Sequence, residues 1–119
     1  MNHHRLPNYL RTYRRRFGLS QRELAMLLGA ATGTKVSRYE NFSRMPAVST
    51  VWAYEAVFDT PALELFAGNY RTIRRAVQTR AKRLLKNLES QSPAAQARIA
   101  RKLALLRSIV DSNDRRSAT

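Results

Sequence analysis

Residues 18–41 read GLSQRELAMLLGAATGTKVSRYEN, two short amphipathic segments separated by a glycine-bearing turn. Gly18 is placed to end a preceding helix, because a residue without Cβ enters the left-handed conformation past a helix end at little cost. Ser20 and Glu23 have the spacing of a capping box. In that motif the hydroxyl and the carboxylate each accept a backbone N–H that the first helical turn leaves unsatisfied. Leu19 and Leu24 stand where a hydrophobic staple places them. Leu24, Leu27 and Leu28 continue as an apolar stripe, and Gly29 stops the helix. Ala25, small and central, lets another helix come close. The next helix is expected over Thr32 to Asn41, with Val36 and Tyr39 inward.

The flanking segments carry the same periodicity. A helix from Asn8 to Phe17 puts Leu10, Tyr13 and Phe17 on one face. After Pro46, a fourth helix from Ser49 to Phe58 is expected to turn Val51, Trp52 and Val57 inward, with Tyr54 and Phe58 also read as packing residues. Asp59-Thr60-Pro61 breaks the chain before a short fifth helix, Ala62 to Ala67. From residue 69 to 89, Tyr70, Ile73, Val77, Ala81, Leu84 and Leu88 form one stripe. Arg71, Arg75, Lys82 and Lys86 lie opposite it, with Arg74 and Arg83 at the margins. Ser92-Pro93 opens another helix, along which Ala95, Ile99, Leu103, Leu106 and Val110 recur at steps of three and four. No stretch alternates with period two, so the expected class is all-α: five helices over 1–68, then a helical hairpin over 69–119 with a frayed end.

Composition narrows the function. The 119 residues carry 22 Lys and Arg against 8 Asp and Glu, a net charge of +14, which favours a polyanionic partner. Residues 1–68 hold nine basic and five acidic side chains, and residues 69–119 hold thirteen and three. The two halves therefore differ in kind, with a boundary near Gly68-Asn69. Cysteine is absent, which excludes disulfides and thiolate chemistry and suits a reducing compartment. The first five residues lack the apolar run of a signal peptide, and no segment approaches the roughly 20 apolar residues of a membrane span. A cytoplasmic location is expected. No glycine-rich phosphate loop or paired-carboxylate motif is present, so no enzyme activity and no cofactor are expected. His3 and His4 are too few for a metal site.

In order and spacing, Gly18-Leu19-Ser20-Gln21, Glu23-Leu24-Ala25, Leu28-Gly29, Val36-Ser37-Arg38-Tyr39-Glu40-Asn41 and Pro46-Ala47-Val48 resemble the Cro/C1-type (XRE-like) helix-turn-helix regulators. The resemblance covers about residues 8–67. It implies a lambda-repressor-like domain of a bacterial regulator, whose third helix enters the major groove of double-stranded operator DNA. The segment Gly29-Ala30-Ala31-Thr32-Gly33 is one residue longer than the family's usual turn. Counting back from Glu40 puts Thr32 at the N-cap and turns Gly33, Thr34, Ser37 and Arg38 outward, with Lys35 at the margin. Arg38 is the expected base reader, since its forked guanidinium matches guanine O6 and N7. Thr34 suits a thymine methyl or a base edge. Gly33 stands where the family often has a glutamine, and is read as allowing close backbone approach to DNA. Gln21 and the N–H groups that open its helix resemble the family's phosphate clamp, and Arg22 is a further DNA-binding candidate. Lys35, Asn41 and Arg44 are expected on the phosphate backbone. The resemblance also pairs Arg14 with Glu40, a structural ion pair.

Three function classes remain open at this level. The first is a sequence-specific regulator, a repressor acting as a homodimer. The second is a protein-partner module such as an antitoxin, gripping its partner through residues 69–111 while the N-terminal half regulates its own synthesis. The third is a nucleic-acid-binding protein without sequence preference.

Overall fold

A computed structural model describes residues 6–112; His3, His4 and all but Ser112 of the frayed end expected over 112–119 lie outside these residues. Among the described residues every element is an α-helix. The chain divides into two compact units, residues 1–70 and 71–119. The first contains α1 (Leu10–Arg16), α2 (Gln21–Leu28), α3 (Thr34–Glu40), α4 (Val48–Phe58), α5 (Ala62–Leu65) and the start of α6 (Ala67–Glu89). The second contains the rest of α6, then α7 (Pro93–Arg98) and α8 (Ala100–Asp111).

In unit 1 the helix ends form as their residues dictate. Glu23 N donates to Ser20 Oγ at 3.0 Å and Ser20 N to Glu23 Oε1 at 2.8 Å, so the capping box closes from both sides. Such a cap is worth about 1 kcal/mol. Gly18 and Gly29 both sit in the left-handed region, at φ +70° and +82°, where a Cβ would be strained. Asn8 is a junction that the sequence pattern does not signal. Its Oδ1 accepts Leu10 N at 3.1 Å, and its Nδ2 donates to Tyr39 O at 3.0 Å, which ties the start of α1 to the end of α3.

The core gathers Leu10, Leu24, Ala25, Val36, Tyr39, Tyr54, Phe58, Leu65 and Phe66. Tyr54 is its aromatic centre, with its ring centroid 6.3 Å from Tyr39, 6.2 Å from Phe58 and 6.1 Å from Phe66. Burial is the main reason its phenol ionises less readily than usual. Three residues expected to face inward do not. Trp52 is 64% exposed, because the buried side of α4 carries Tyr54 and Phe58 with Val51 and Val57 packed against the core. The helix is apolar nearly all round, so periodicity could not select its face. Leu27 is exposed, and α2 instead buries Leu24 and Ala25 with Leu28 partly covered. Phe17 is exposed on one side while stacking on Phe58 at 5.9 Å.

α5 gives way to α6 at Phe66, and α6 passes through Gly68 without interruption, the two units dividing within it between Tyr70 and Arg71. Gly68 is a packing point. Its backbone lies against Leu6 and Pro7, and Asn69 N donates to Pro7 O at 2.9 Å. Nearby, Tyr9 N donates to Leu65 O at 2.8 Å.

In unit 2, side-chain hydrogen bonds to helix ends join the elements. Arg74 Nη2 donates to Ser112 Oγ at 2.6 Å and to the Ser112 carbonyl. Gln78 Nε2 reaches the carbonyls of Ile109 at 3.3 Å and Ser112 at 3.0 Å. Gln96 Nε2 does the same for Glu89 and Gln91, at 3.1 and 2.9 Å. Ser92 caps α7 as its place before Pro93 predicts, accepting Ala95 N at 3.2 Å, with Pro93 in the first turn. The single helix expected after Pro93 is divided at Ile99, whose N–H turns to Gln96 O at 3.1 Å. The second half therefore has three helices where a two-helix hairpin is expected. Ala81, Leu103 and Leu106 are its buried apolar residues.

Gly68→Ala sets two effects of opposite sign against each other. Helix propensity favours alanine by about 1 kcal/mol. A Cβ at this site would stand 2.8 Å from Pro7 Cα and the Leu6 carbonyl carbon, backbone atoms with little room to yield. Overpacking of this kind costs about 1–3 kcal/mol. Net destabilisation is expected, read as a lower midpoint in urea; a raised midpoint would show that residues 6–7 do not hold this position.

Candidate nucleic-acid interface

The turn between the two helices spans residues 29–33. Ala30 N returns to Ala25 O at 2.8 Å, and Gly33 is the N-cap of α3. This corrects the expected start of the third helix by one residue and moves Thr32 outside it. The longer turn is the cause. Thr32 keeps a capping function in another geometry, since its Oγ1 accepts Thr34 N at 3.3 Å. Gly33 is half-buried, and a Cβ on it would lie 3.3 Å from Gln21 Cβ. The close approach that this glycine permits is thus between the N-terminal ends of α2 and α3.

α3 has two unlike sides. Val36, Tyr39 and Glu40 are buried, while Thr34, Lys35 and Arg38 are exposed and Ser37 is half-buried. Beyond the helix, Asn41 and Arg44 are exposed. Asn41 Oδ1 accepts Ser43 N at 3.0 Å, so its oxygen is engaged in the turn. Phe42 follows in the left-handed region at φ +69°, uncommon for a bulky residue. The amides of Phe42 and Ser43 then return to the carbonyls of Tyr39 at 3.3 Å and Arg38 at 3.0 Å, the Schellman closure of a helix. The residue type at position 42 gives no hint of this conformation.

The inner side of this arrangement is held by charge. Arg14 Nε donates to Glu40 Oε2 at 2.6 Å and Arg14 Nη2 to Oε1 at 3.0 Å, a forked pair. Arg14 Nη1 donates to Leu19 O at 2.9 Å. The Glu40 side chain is 0% exposed and that of Arg14 is 11%. The carboxylate raises the Arg14 pKa above its already high value, against the opposing effect of burial. Gln21 Nε2 adds a third donor to Glu40 Oε1 at 3.1 Å, and Arg11 Nε approaches that oxygen at 3.6 Å. Gln21, expected at a phosphate, here also links the first residue of α2 to the last of α3 through its amide nitrogen. Sequence reasoning missed Arg11, although its place one turn before Arg14 was a usable signal.

At the start of α2, Glu23 N is taken by Ser20 Oγ and Leu24 N by Ser20 O at 3.0 Å. The amides of Gln21 and Arg22 are the donors that the helix itself does not use. Arg22 is exposed and Gln21 half-buried. Arg22, Thr34, Lys35 and Arg38 are thus exposed, and Gln21, Gly33 and Ser37 half-buried, with the N-terminal ends of α2 and α3 meeting at Gly33. Among the described residues no group of three or more potential metal ligands is found, and no helix is long and apolar enough to cross a membrane.

The ion pair should behave as a buried unit. Arg14→Met leaves the Glu40 carboxylate inside without its fork and is expected to cost about 3–5 kcal/mol in denaturant unfolding. Arg14→Met/Glu40→Leu should recover much of that loss, because it removes the stranded charge as well. Equal stability of wild type and the single variant would show that the pair does not hold α1 to α3.

A family model described as helix-turn-helix matches residues 10–65, from the start of α1 to the end of α5. No curated protein and no solved structure matches the chain. Four features coincide within that span: a closed capping box, a left-handed Gly29, a helix with a polar outer side, and a buried Arg14–Glu40 fork at its back. Through residues 10–65 the chain belongs to the Cro/C1-type (XRE-like) helix-turn-helix family of DNA-binding transcription regulators.

Proposed function

We propose that this protein is a sequence-specific transcriptional repressor that binds its operator as a homodimer in the bacterial cytoplasm. The division of α3 into a buried side and a polar, uncharged-to-basic outer side carries the reading. A helix anchored from behind and presenting Thr34 and Arg38 outward suits base readout in the major groove. On this reading Arg38 pairs with a guanine edge and Thr34 meets a thymine methyl or a base. Gln21, Arg22, Thr32, Lys35, Ser37, Asn41 and Arg44 position the protein on phosphates and sugars, which carry no sequence information themselves. Gly33 acts by bringing the α2 and α3 N-termini together at that surface. The function is binding, with no catalytic step.

Two copies are proposed because one such domain reads few base pairs. A two-fold pair sets two recognition helices about 34–36 Å apart along one face of a duplex. Ile73, Val77, Leu84 and Leu105 of unit 2 are exposed apolar side chains, which supports association with a second copy there.

Selection of bound duplexes from a random pool tests the reading. An enriched sequence with two related half-sites is expected; no sequence bound more tightly than scrambled DNA at physiological salt would overturn it. With that operator, Arg38→Ala should lose about 5- to 150-fold in affinity, with preference relaxed at one base pair per half-site. Lys35→Ala should weaken all sequences alike and reduce the slope of log K against log salt by about 0.9 for each phosphate no longer neutralised.

A further inference from the structure

Unit 2 carries a strong charge that the helix-turn-helix does not use. On the unit 2 part of α6, Arg75, Lys82 and Lys86 stand at steps of seven and four, so they share one side of the helix. All three are exposed, and no carboxylate among the described residues pairs with any of them. Thr79 lies between them on the same side. Glu89, the acid nearest that row, is already taken: its Oε2 accepts Arg107 Nη2 at 3.0 Å and Nε at 3.2 Å. The unit's own packing occupies another side of α6, where Ala81 is buried and Gln78 holds the end of α8. The exposed apolar residues Ile73, Val77 and Leu84 fall roughly half a turn from the basic row.

We infer that this row is a second, sequence-independent binding surface for the phosphate backbone of duplex DNA. Three observations select that partner. The row has charge and no apolar anchor. Protein interfaces are depleted in lysine and depend on buried aromatic or aliphatic anchors. A phosphate backbone requires only positive charge at reach. Arg75 to Lys86 covers about 16 Å of helix, a length over which a duplex offers on the order of ten phosphates. A domain that reads bases is also covalently joined to the row, so duplex DNA is at high effective concentration once that domain is bound. In the last respect the inference rests on the DNA-binding reading above.

The test uses the full chain and a duplex of scrambled sequence, so that base readout does not contribute. Binding is followed by fluorescence anisotropy across a salt series. Three proteins are compared: wild type, Arg75→Gln/Lys82→Gln/Lys86→Gln, and a charge-matched control, Arg98→Gln/Arg101→Gln/Lys102→Gln, on α7 and α8. The row variant is expected to lower the log–log salt slope by about 2–3, at about 0.9 per neutralised phosphate, and to lose at least tenfold in affinity near 0.1 M salt. The control should change the slope by less than about 1, within the span of a single phosphate. Far-ultraviolet circular dichroism checks that each variant keeps its helix content, and Arg75→Lys/Lys82→Arg/Lys86→Arg should retain the wild-type slope. Equal losses in the two Gln variants would reduce the effect to net charge and overturn the inference. So would an unchanged slope in the row variant, or a row that acts only on anionic phosphatidylserine vesicles. Wild type that binds no duplex at all would instead overturn the proposed function.

Discussion

Glu40 is a carboxylate with no exposure, at the last residue of α3, and the geometry of unit 1 is arranged around keeping it satisfied. A charge taken from water must regain its hydrogen bonds inside, or the fold loses several kcal/mol. Here the Arg14 fork supplies two, the Gln21 amide a third, and Arg11 a nearby positive charge. The remaining nitrogen of Arg14 takes the Leu19 carbonyl. One buried ion pair thus joins α1, the segment after Gly18, the first residue of α2 and the last residue of α3. Because Glu40 is held at the back, the opposite side of α3 is directed to solvent. The outer surface of α3 follows from an interaction on its hidden side.

The apolar core supports the same alignment from another direction. Val36 and Tyr39 on α3 meet a core centred on Tyr54, and Asn8 adds a side-chain bridge to the Tyr39 carbonyl. Two close backbone approaches complete it. Gly33 lets the ends of α2 and α3 meet, and Gly68 lets residues 6–7 lie on the start of α6. At Gly68 backbone neighbours require glycine, while at Gly33 a Cβ would need Gln21 to shift by a few tenths of an ångström; neither site is a left-handed turn.

The two units solve the problem of polarity differently. Unit 1 buries an ion pair and surrounds it with donors. Unit 2 uses Arg74, Gln78 and Gln96 to satisfy carbonyls at helix ends, and leaves most of its positive charge outside. For the function proposed, a rigid reader benefits from the first solution, since base edges demand fixed geometry. For the surface inferred on α6, the second suffices, since Coulomb attraction is broad in angle.

Local chemistry was legible in the sequence because it is written over three to five residues. Ser20 with Glu23, Gly18, Gly29, and Ser92 with Pro93 each specify a helix end through groups that are neighbours in the chain. The helix-turn-helix and its Arg14–Glu40 pair were legible through the ordered spacing of family residues. What only the tertiary structure decided was which side of a uniformly apolar helix is buried, since α4 could have turned Trp52 or Tyr54 inward on pattern alone. It also decided the one-residue shift of the α3 cap, the break at Ile99, and the partners of Asn8 and Gly68. The buried side of α4 and the partners of Asn8 and Gly68 depend on atoms far apart in the chain, whose meeting is settled by packing and by buried polar groups finding partners; no local propensity encodes that.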